Sequence, residues 1–170
     1  MDERLSAIIH ELEYFNKGLI WTNPPALGAD IAAAEEALNW KFSPMMKEFY
    51  AFSNGLEILE YLILCVQITG TRKIPKNYDI AFINLDLREK TWWPKNWLNI
   101  GEDWYGNYFV AIAHDPNQTE TARCYWVDHD WLGLPNIKPV YLGSFYGFLE
   151  YIVRNLRRNY APDGKSIVQE

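Results

Sequence analysis

The sequence has no apolar run long enough to form a membrane-spanning helix. Its longest strongly apolar run covers residues 62–66, whereas such a helix takes about 20 apolar residues. The opening residues, MDERLSAIIHELEYF, also lack the cationic start, the unbroken apolar stretch and the small-residue cleavage site of a secretory signal. We therefore expect a soluble protein of the cytoplasm that does not bind membranes.

Cysteine is scarce, and catalytic constellations are absent. Cys65 and Cys124 lie in apolar, strand-like segments, which predicts reduced buried thiols rather than a disulfide framework. Neither has the combination of a basic neighbour and a histidine that activates a thiolate. No nucleophile, phosphate loop or metal-ligand set accompanies the most distinctive segment, residues 97–115. We expect no catalytic residue, no cofactor and no metal.

Basic residues are too few for a polyanion-binding surface. The chain has 16 Lys and Arg against 22 Asp and Glu, which gives a net charge of -6. Non-specific binding to nucleic acid or to anionic lipid requires the opposite balance. We therefore expect no direct nucleic-acid partner, and an acidic chain suits a basic protein partner better.

Apolar and aromatic residues are abundant instead. Hydrophobic residues make up 49% of the 170 residues, and the aromatic residues include eight Trp, eleven Tyr and eight Phe. A chain of this length and composition can bury one hydrophobic core, and its composition excludes disorder. We expect a single domain over residues 1–160 and a flexible tail over residues 161–170.

Helical periodicity dominates the first third of the chain. Apolar residues at helical spacing predict a helix over the first twenty residues, which Asn23-Pro24-Pro25 then ends. Asp30 can cap a second helix that continues to Leu38. Ser43-Pro44 predicts the start of a third helix, and Asn54-Gly55 predicts its end.

From residue 56 onward the pattern changes to that of a sheet. Residues 56–68 suggest one long strand or a hairpin, 70–76 a polar loop and 79–89 a further helix that ends before Trp92-Trp93-Pro94. Strands are predicted at 97–100, 107–113, 123–128 and 139–142, and Ser144 caps a final helix. The predicted fold class is α+β: a mostly antiparallel sheet of about five to six strands, with N-terminal helices and a C-terminal helix packed on it.

The strands at 97–100 and 107–113 flank an acidic turn bracketed by two glycines. We expect Gly101 and Gly106 to serve a turn that needs positive φ. After the turn, the apolar and aromatic residues of 108–113 show no polar alternation, which predicts a strand buried on both faces.

Four motifs in this order resemble a known family. They are Glu35-Glu36-Ala37-Leu38, the helix from Pro44 to Ser53-Asn54-Gly55, the turn Ile100-Gly101-x-Asp103-x-x-Gly106-Asn107, and Ser144-Phe145-x-x-Phe148-Leu149. Together they are similar to the SUKH superfamily, the SMI/KNR-type domain, over residues 25–155. Departures are Trp40-Lys41-Phe42, where members often have a leucine before the proline, and an unusually aromatic 92–131 region.

The resemblance implies a non-enzymatic binding protein. Many bacterial members look like immunity proteins that neutralise a cognate toxin, often a nuclease, by direct binding, while fungal relatives act as signalling scaffolds. The resemblance therefore implies an immunity protein with a toxin as its partner, and the acidic charge of the chain predicts that this toxin has a basic surface.

Most of the excess negative charge lies in residues 101–131. This segment has six carboxylates and one base, Arg123, for a local net charge of -5. Aromatic anchors ringed by carboxylates can capture a basic protein, because charge accelerates association and aromatic burial slows release. The candidate partner-binding residues are Glu102, Asp103, Trp104, Tyr105, Asp128, Asp130 and Trp131.

Three alternatives use the same residue types. Asp128-His129-Asp130 could bind a metal with His114-Asp115, although strand alternation would turn His129 away unless the strand has already ended. A carboxylate-dependent hydrolase could divide acid and base roles among Glu102, Asp103, Asp128 and Asp130. A carbohydrate-binding module would require an exposed aromatic platform, formed by Trp92, Trp93, Trp97 and Trp104.

Overall fold

The fold is a seven-stranded antiparallel sheet with five α-helices, as seen in a computed structural model that describes residues 2–67 and 75–168. The helices are α1 (Glu3–Leu12), α2 (Gly28–Leu38), α3 (Pro44–Phe52), α4 (Ile80–Glu89) and α5 (Phe145–Asn159). The strands are β1 (Ile20–Asn23), β2 (Asn54–Ile58), β3 (Tyr61–Ile63), β4 (Trp97–Asp103), β5 (Tyr108–Ile112), β6 (Arg123–Val127) and β7 (Val140–Gly143). Strand order in the sheet equals chain order, and each neighbouring pair is antiparallel. The predicted α+β class is confirmed, with one or two strands more than expected.

The additional strand, β1, corrects the prediction of a helix over the first twenty residues. Helix α1 ends at Leu12, and Ile20 pairs with Ile58 at the edge of the sheet. Phe15 lies between the two elements and is buried, so its apolar character reflects core packing rather than a continuing helix. The apolar residues at helical spacing therefore continued past the end of α1, through the connecting loop and into β1.

Capping side chains fix the starts of three helices. Ser43 Oγ accepts the backbone N–H of Met46, with Pro44 at the first helical position, and Ser144 Oγ accepts the N–H of Gly147, as predicted. Asp79 Oδ1 accepts the N–H of Ala81 and so starts α4. Each cap satisfies a backbone donor that has no partner within its helix.

Asp30 has a different position from the one predicted. Helix α2 begins at Gly28, and Asp30 lies one turn inside, where its Oδ2 accepts the N–H of Leu27 at 3.0 Å. The side chain therefore reaches back to the start of the helix, as the acidic residue of a capping box does.

The motif residues Glu35 and Asn54 hold loops in the core. Glu35 is buried, accepts the N–H of Phe42 at 2.6 Å and forms an ion pair of 2.9 Å with Lys47. Asn54 is fully buried and makes two hydrogen bonds of 2.8 Å with the backbone of Val66. Both side chains thus replace contacts with water by polar contacts within the protein, which buried polar groups require.

Residues 56–63 form a hairpin, the second of the two structures predicted for the segment 56–68. Strands β2 and β3 pair from Leu56 with Ile63 to Ile58 with Tyr61, and Leu59 adopts a positive φ of 50° in the connection. The end of the predicted segment at residue 68 and residues 70–74 of the predicted polar loop lie outside the described residues.

Two hydrophobic clusters lie on opposite faces of the central strands. Phe109 and Ala111 point into the main core with the helices, whereas Val110 and Ile112 point into a smaller cluster with Trp93. The four strand residues are nearly inaccessible to solvent, which confirms the prediction of a strand buried on both faces.

Cys65 and Cys124 are buried and free, and burial raises the pKa of each thiol to about 12.

The segment after α5 folds back toward the N-terminal half. The backbone N–H of Asn16 donates to the carbonyl of Pro162 at 2.9 Å, and Tyr160 pairs with Ser166 in a short bridge. The flexibility of residues 161–170 stays a prediction. No helix in the described ranges has the length and apolar character needed to cross a bilayer.

Candidate partner-binding surface

Two acidic turns lie side by side at one end of the sheet. The first turn, residues 103–107, joins β4 to β5, and the second, residues 128–131, follows β6. The backbone N–H and Nδ1 of His129 lie 3.3 and 3.2 Å from Asn107 Oδ1 and link the turns. Because β4, β5 and β6 are consecutive neighbours, the structure brings together the two acidic groups that the sequence left apart. We call residues 102–105 and 128–131 the acidic turn surface.

Asp103 is the organising residue of the first turn. Its Oδ1 accepts the backbone N–H groups of Tyr105 and Asn107, each at 3.0 Å, and its Oδ2 accepts Asn107 Nδ2 at 3.0 Å. The indole N–H of Trp126 approaches the same Oδ2 at 3.4 Å. With all these donors around it, the carboxylate holds the turn together and leaves little capacity for a partner.

The glycines of this turn have different roles. Gly106 adopts a φ of +84°, as predicted, but Gly101 does not belong to a positive-φ turn. It lies within β4, where a Cβ would meet the carbonyl oxygen of Leu62 at 2.5 Å. Close approach of two strands, rather than a left-handed backbone, therefore requires glycine at position 101.

Trp104 and Tyr105 project into solvent from the tip of the turn. Their exposed fractions are 74% and 71%, the largest among the exposed aromatic residues described. The backbone N–H of Trp104 donates to the carbonyl of Glu60 at 2.9 Å, so the main chain is fixed while the ring stays accessible. A held backbone with two large free rings is an arrangement suited to aromatic anchors of an interface.

Glu102 is a half-buried carboxyl group beside the turn. Burial raises its pKa above the ordinary 4.5, the hydrogen bond donated by Asn99 Nδ2 at 2.8 Å opposes this, and the charge of Asp103 adds to it. Asn99 is itself fully buried and bonded to Asn84 of α4. Glu102 therefore closes a polar chain that runs from the helix through the sheet to the surface.

The raised pKa of Glu102 predicts a pH-dependent stability. The folded state binds the proton more tightly than the unfolded state, so ionisation of Glu102 lowers the free energy of unfolding as pH rises from the unfolded-state pKa of about 4.3 through the higher folded-state pKa. We expect Glu102→Gln, which stays neutral, to lose less stability than the wild type over this range. Parallel urea denaturation at several pH values measures the difference, and equal slopes for the two proteins would contradict the assignment.

Asp128, His129 and Asp130 form a compact polar turn. Strand β6 ends at Val127, so His129 is not turned away by strand alternation. Asp128 Oδ1 accepts the N–H of Asp130 at 2.9 Å, and His129 Nε2 lies 3.2 Å from Asp130 Oδ1. One ligand atom from each residue lies within 4.8 Å of the others, without His114 or Asp115 among the described groups. Exposed acidic groups with such contacts are common without a metal ion, so this geometry by itself assigns no metal to the turn.

The aromatic residues near the second turn are partly covered. Trp131 packs edge-to-face on Trp126 at a centroid distance of 5.9 Å, so it forms a side wall of the surface rather than a free anchor. Trp126 and Glu60 are contributors that the sequence did not single out, and Asn107 was named only as the last residue of the family's turn motif. The position of Asn107 beside Gly106 was the one available signal, since Asn and Gly together are typical of turns.

The structure contradicts the exposed aromatic platform required for carbohydrate binding. Trp93 and Trp97 are only 2% and 7% exposed and pack edge-to-face on each other at 5.7 Å in the second cluster. Of the four tryptophans proposed for the platform, Trp92 and Trp104 remain accessible, with 39% and 74% exposed. Burial against strands β4 and β5 removes the central rings from any sugar.

Comparison with known protein families supports the resemblance that the sequence motifs indicated. The SMI1 / KNR4 family (SUKH-1) matches residues 25–150, which include α2 to β7 and the acidic turn surface. No curated protein matches the chain. Since the matched range covers well over half of the sequence, the chain belongs to the SMI1/KNR4 family (SUKH-1), as its motifs predicted.

Proposed function

We propose that this protein is an immunity protein that neutralises a cognate bacterial toxin by binding it through the acidic turn surface. Membership of the SUKH-1 family supports a non-enzymatic role with a protein partner. The observation that carries the proposal is the pair of exposed rings, Trp104 and Tyr105, on a turn that is hydrogen-bonded to the turn of Asp128 and Asp130. Inhibition then requires no turnover, because occupying the toxin's active site or a neighbouring surface is sufficient.

The charge and the aromatic groups have separate tasks in this proposal. Asp130 has 82% of its side chain exposed and contributes long-range attraction toward a basic surface. Trp104 and Tyr105 lose their exposed area when the partner docks, which slows dissociation. Asp103 stabilises the turn that presents both rings, so a charge reversal at Asp103 would disturb the surface itself.

The proposal is tested by co-purification with a candidate toxin domain, to be sought among the genes that neighbour this one. We expect a one-to-one complex that survives size-exclusion chromatography and in which the toxin loses its activity. A nuclease domain is the first candidate, and its cleavage of DNA or RNA provides the readout. An unaltered toxin in the presence of excess protein, without a complex, would contradict the immunity function.

Asp130→Lys separates electrostatic attraction from folding. At low ionic strength we expect association to slow by about tenfold with little change in dissociation, because the residue acts mainly before contact. Stopped-flow fluorescence of the tryptophans measures both rates. The matched control is Asp86→Lys, since Asp86 is an exposed carboxylate on α4 with 56% of its side chain accessible. Equal slowing by both variants would indicate a net-charge effect rather than an acidic docking surface.

The contacts give no support to a carboxylate-dependent hydrolase. The carboxylate of Asp103 is occupied by turn donors, and Asp128 caps the short turn that follows it. A general acid and base would instead need carboxyl groups directed at a common substrate. The hydrolase alternative predicts turnover that is lost in Glu102→Gln or Asp128→Asn, which the same preparations can assay.

A further inference from the structure

An apolar cavity lies on the side of the sheet that faces α1 and α5. Its volume is about 370 Å³, and it opens to solvent between the N-terminal segment and the rest of the domain. The walls come mainly from aliphatic and phenyl groups, among them Ile8, Leu12, Phe15, Phe49, Leu56 and Ile152. Protein interiors pack closely, and voids much larger than a water molecule are few. A cavity of this size falls within the range of small-molecule sites.

The N-terminal segment completes this cavity. Helix α1 and strand β1 both precede residue 25, where the family match begins, yet their apolar residues form one of its walls. The opposite wall is formed by α3, β2, β3 and α5. Arg4 at the start of α1 holds this wall in place, because its Nη2 donates to Glu150 of α5 at 2.7 Å.

Charge at the opening selects the kind of ligand. Lys17 and Glu13 both line the cavity. Glu13 Oε2 lies 2.9 Å from Nδ1 of His10, a contact that is an ion pair only when the imidazole is protonated, whereas Lys17 makes no ion pair with any residue in the ranges 2–67 and 75–168. An apolar chamber with one unpaired ammonium group at its opening is complementary to a molecule with an alkyl chain and an anionic end.

We propose that the cavity binds one medium-chain carboxylate, with the alkyl chain among the aliphatic walls and the carboxylate near the Lys17 ammonium group. The site is separate from the acidic turn surface, since none of residues 102–105 or 128–131 lines it. Chain burial supplies the affinity, and each added methylene contributes until the cavity is full. The affinity for carboxylates should therefore rise by about fifteenfold for every two methylenes, up to the length that fits.

The test uses the full chain with hexanoate, octanoate, decanoate and dodecanoate below their micellar concentrations. We expect one-to-one binding by isothermal titration calorimetry, with the stepwise gain in affinity and a plateau at the longest chains. Methyl NMR of the wild-type protein locates the ligand: the signals of Ile8 and Ile152 should shift, and that of Ile112 in the second cluster should not. Absence of shifts at Ile8 and Ile152 with millimolar decanoate would overturn the proposal.

Two variants test the walls and the opening separately. Leu12→Trp places a larger side chain at the half-buried lip of the cavity and should abolish binding, with the circular dichroism spectrum checking that the fold is retained. Lys17→Glu should weaken decanoate binding by at least tenfold and leave decanol binding unchanged, while Lys138→Glu, remote from the cavity, should affect neither. If decanoate and decanol lose affinity equally in Lys17→Glu, the assignment of the carboxylate to Lys17 is wrong. The wild-type NMR measurement decides the site even if Leu12→Trp fails to fold.

Discussion

Replacing Gly101 with alanine is expected to lower the free energy of unfolding by about 3 kcal/mol, a loss at the upper end of ordinary single substitutions. A Cβ at this position would meet the Leu62 carbonyl oxygen at 2.5 Å, well inside van der Waals contact. That oxygen belongs to the backbone of β3, which is paired with β4 on one side and with β2 on the other. The clash cannot be relieved by rotating a side chain, so strand pairing itself must move. Urea denaturation followed by tryptophan fluorescence measures the change.

Two other glycines provide the comparison for Gly101→Ala. Gly28 is the first residue of α2 and has no heavy atom within 4 Å of a built Cβ, so Gly28→Ala should change stability by less than about 0.5 kcal/mol. Gly106 has space around it but a φ of +84°, so Gly106→Ala should cost about 1–2 kcal/mol through backbone strain. A loss for Gly101→Ala no larger than that for Gly28→Ala would show that β3 and β4 are free to separate.

Replacing Trp104 with alanine is expected to weaken toxin binding by about a hundredfold while leaving the fold intact. Exposed aromatic rings that become buried in an interface often dominate its binding energy. Because 74% of the side chain is exposed in the free protein, its truncation removes little packing from the core. Surface plasmon resonance on the purified complex should show the loss mainly as faster dissociation.

The control for Trp104→Ala is Trp21→Ala. Trp21 is partly exposed, at 41%, and packs on Tyr78 at 5.4 Å from β1, the edge strand on the other side of the sheet from β6. We expect it to reduce stability more than Trp104→Ala but to leave the toxin affinity unchanged. If Trp104→Ala binds the toxin as tightly as the wild type, the docking site lies elsewhere on the surface. That result would contradict the acidic turn surface but not the immunity function.

Local signals in the sequence predicted most elements of the fold. Ser43 and Ser144 determine helix starts through hydrogen bonds that span only three residues, so their pattern is legible in the chain itself. β1 was missed because Ile20 continues the apolar spacing of α1, and its strand character depends on pairing with Ile58, 38 residues away. Asp30 was predicted at the N-cap of α2 but lies at the third helical position. A carboxylate at either position lies near the same backbone N–H groups that have no partner within the helix.

The candidate surface was predictable in composition but not in the roles of its residues. The acidic residues and rings are visible in the sequence, and the order of strands brings both turns to the same end of the sheet. However, Asp103 and Asp130 look alike in the sequence, although one accepts the donors of its own turn and the other has an exposed side chain. Part of the distinction depends on Trp126 of β6, whose indole N–H reaches Asp103 only after β5 and β6 have paired.

The agreement between strand order and chain order has a consequence for biosynthesis. As each strand leaves the ribosome, its partner in the sheet is the strand made just before it, so pairing can follow synthesis with short loop closures. The exception is α1, whose neighbour α5 is made much later: Arg4 and its partner Glu150 are 146 residues apart in the sequence. The nascent chain therefore carries the apolar face of α1 unburied until α5 has been made, and the wall that α1 gives to the cavity assembles after the sheet.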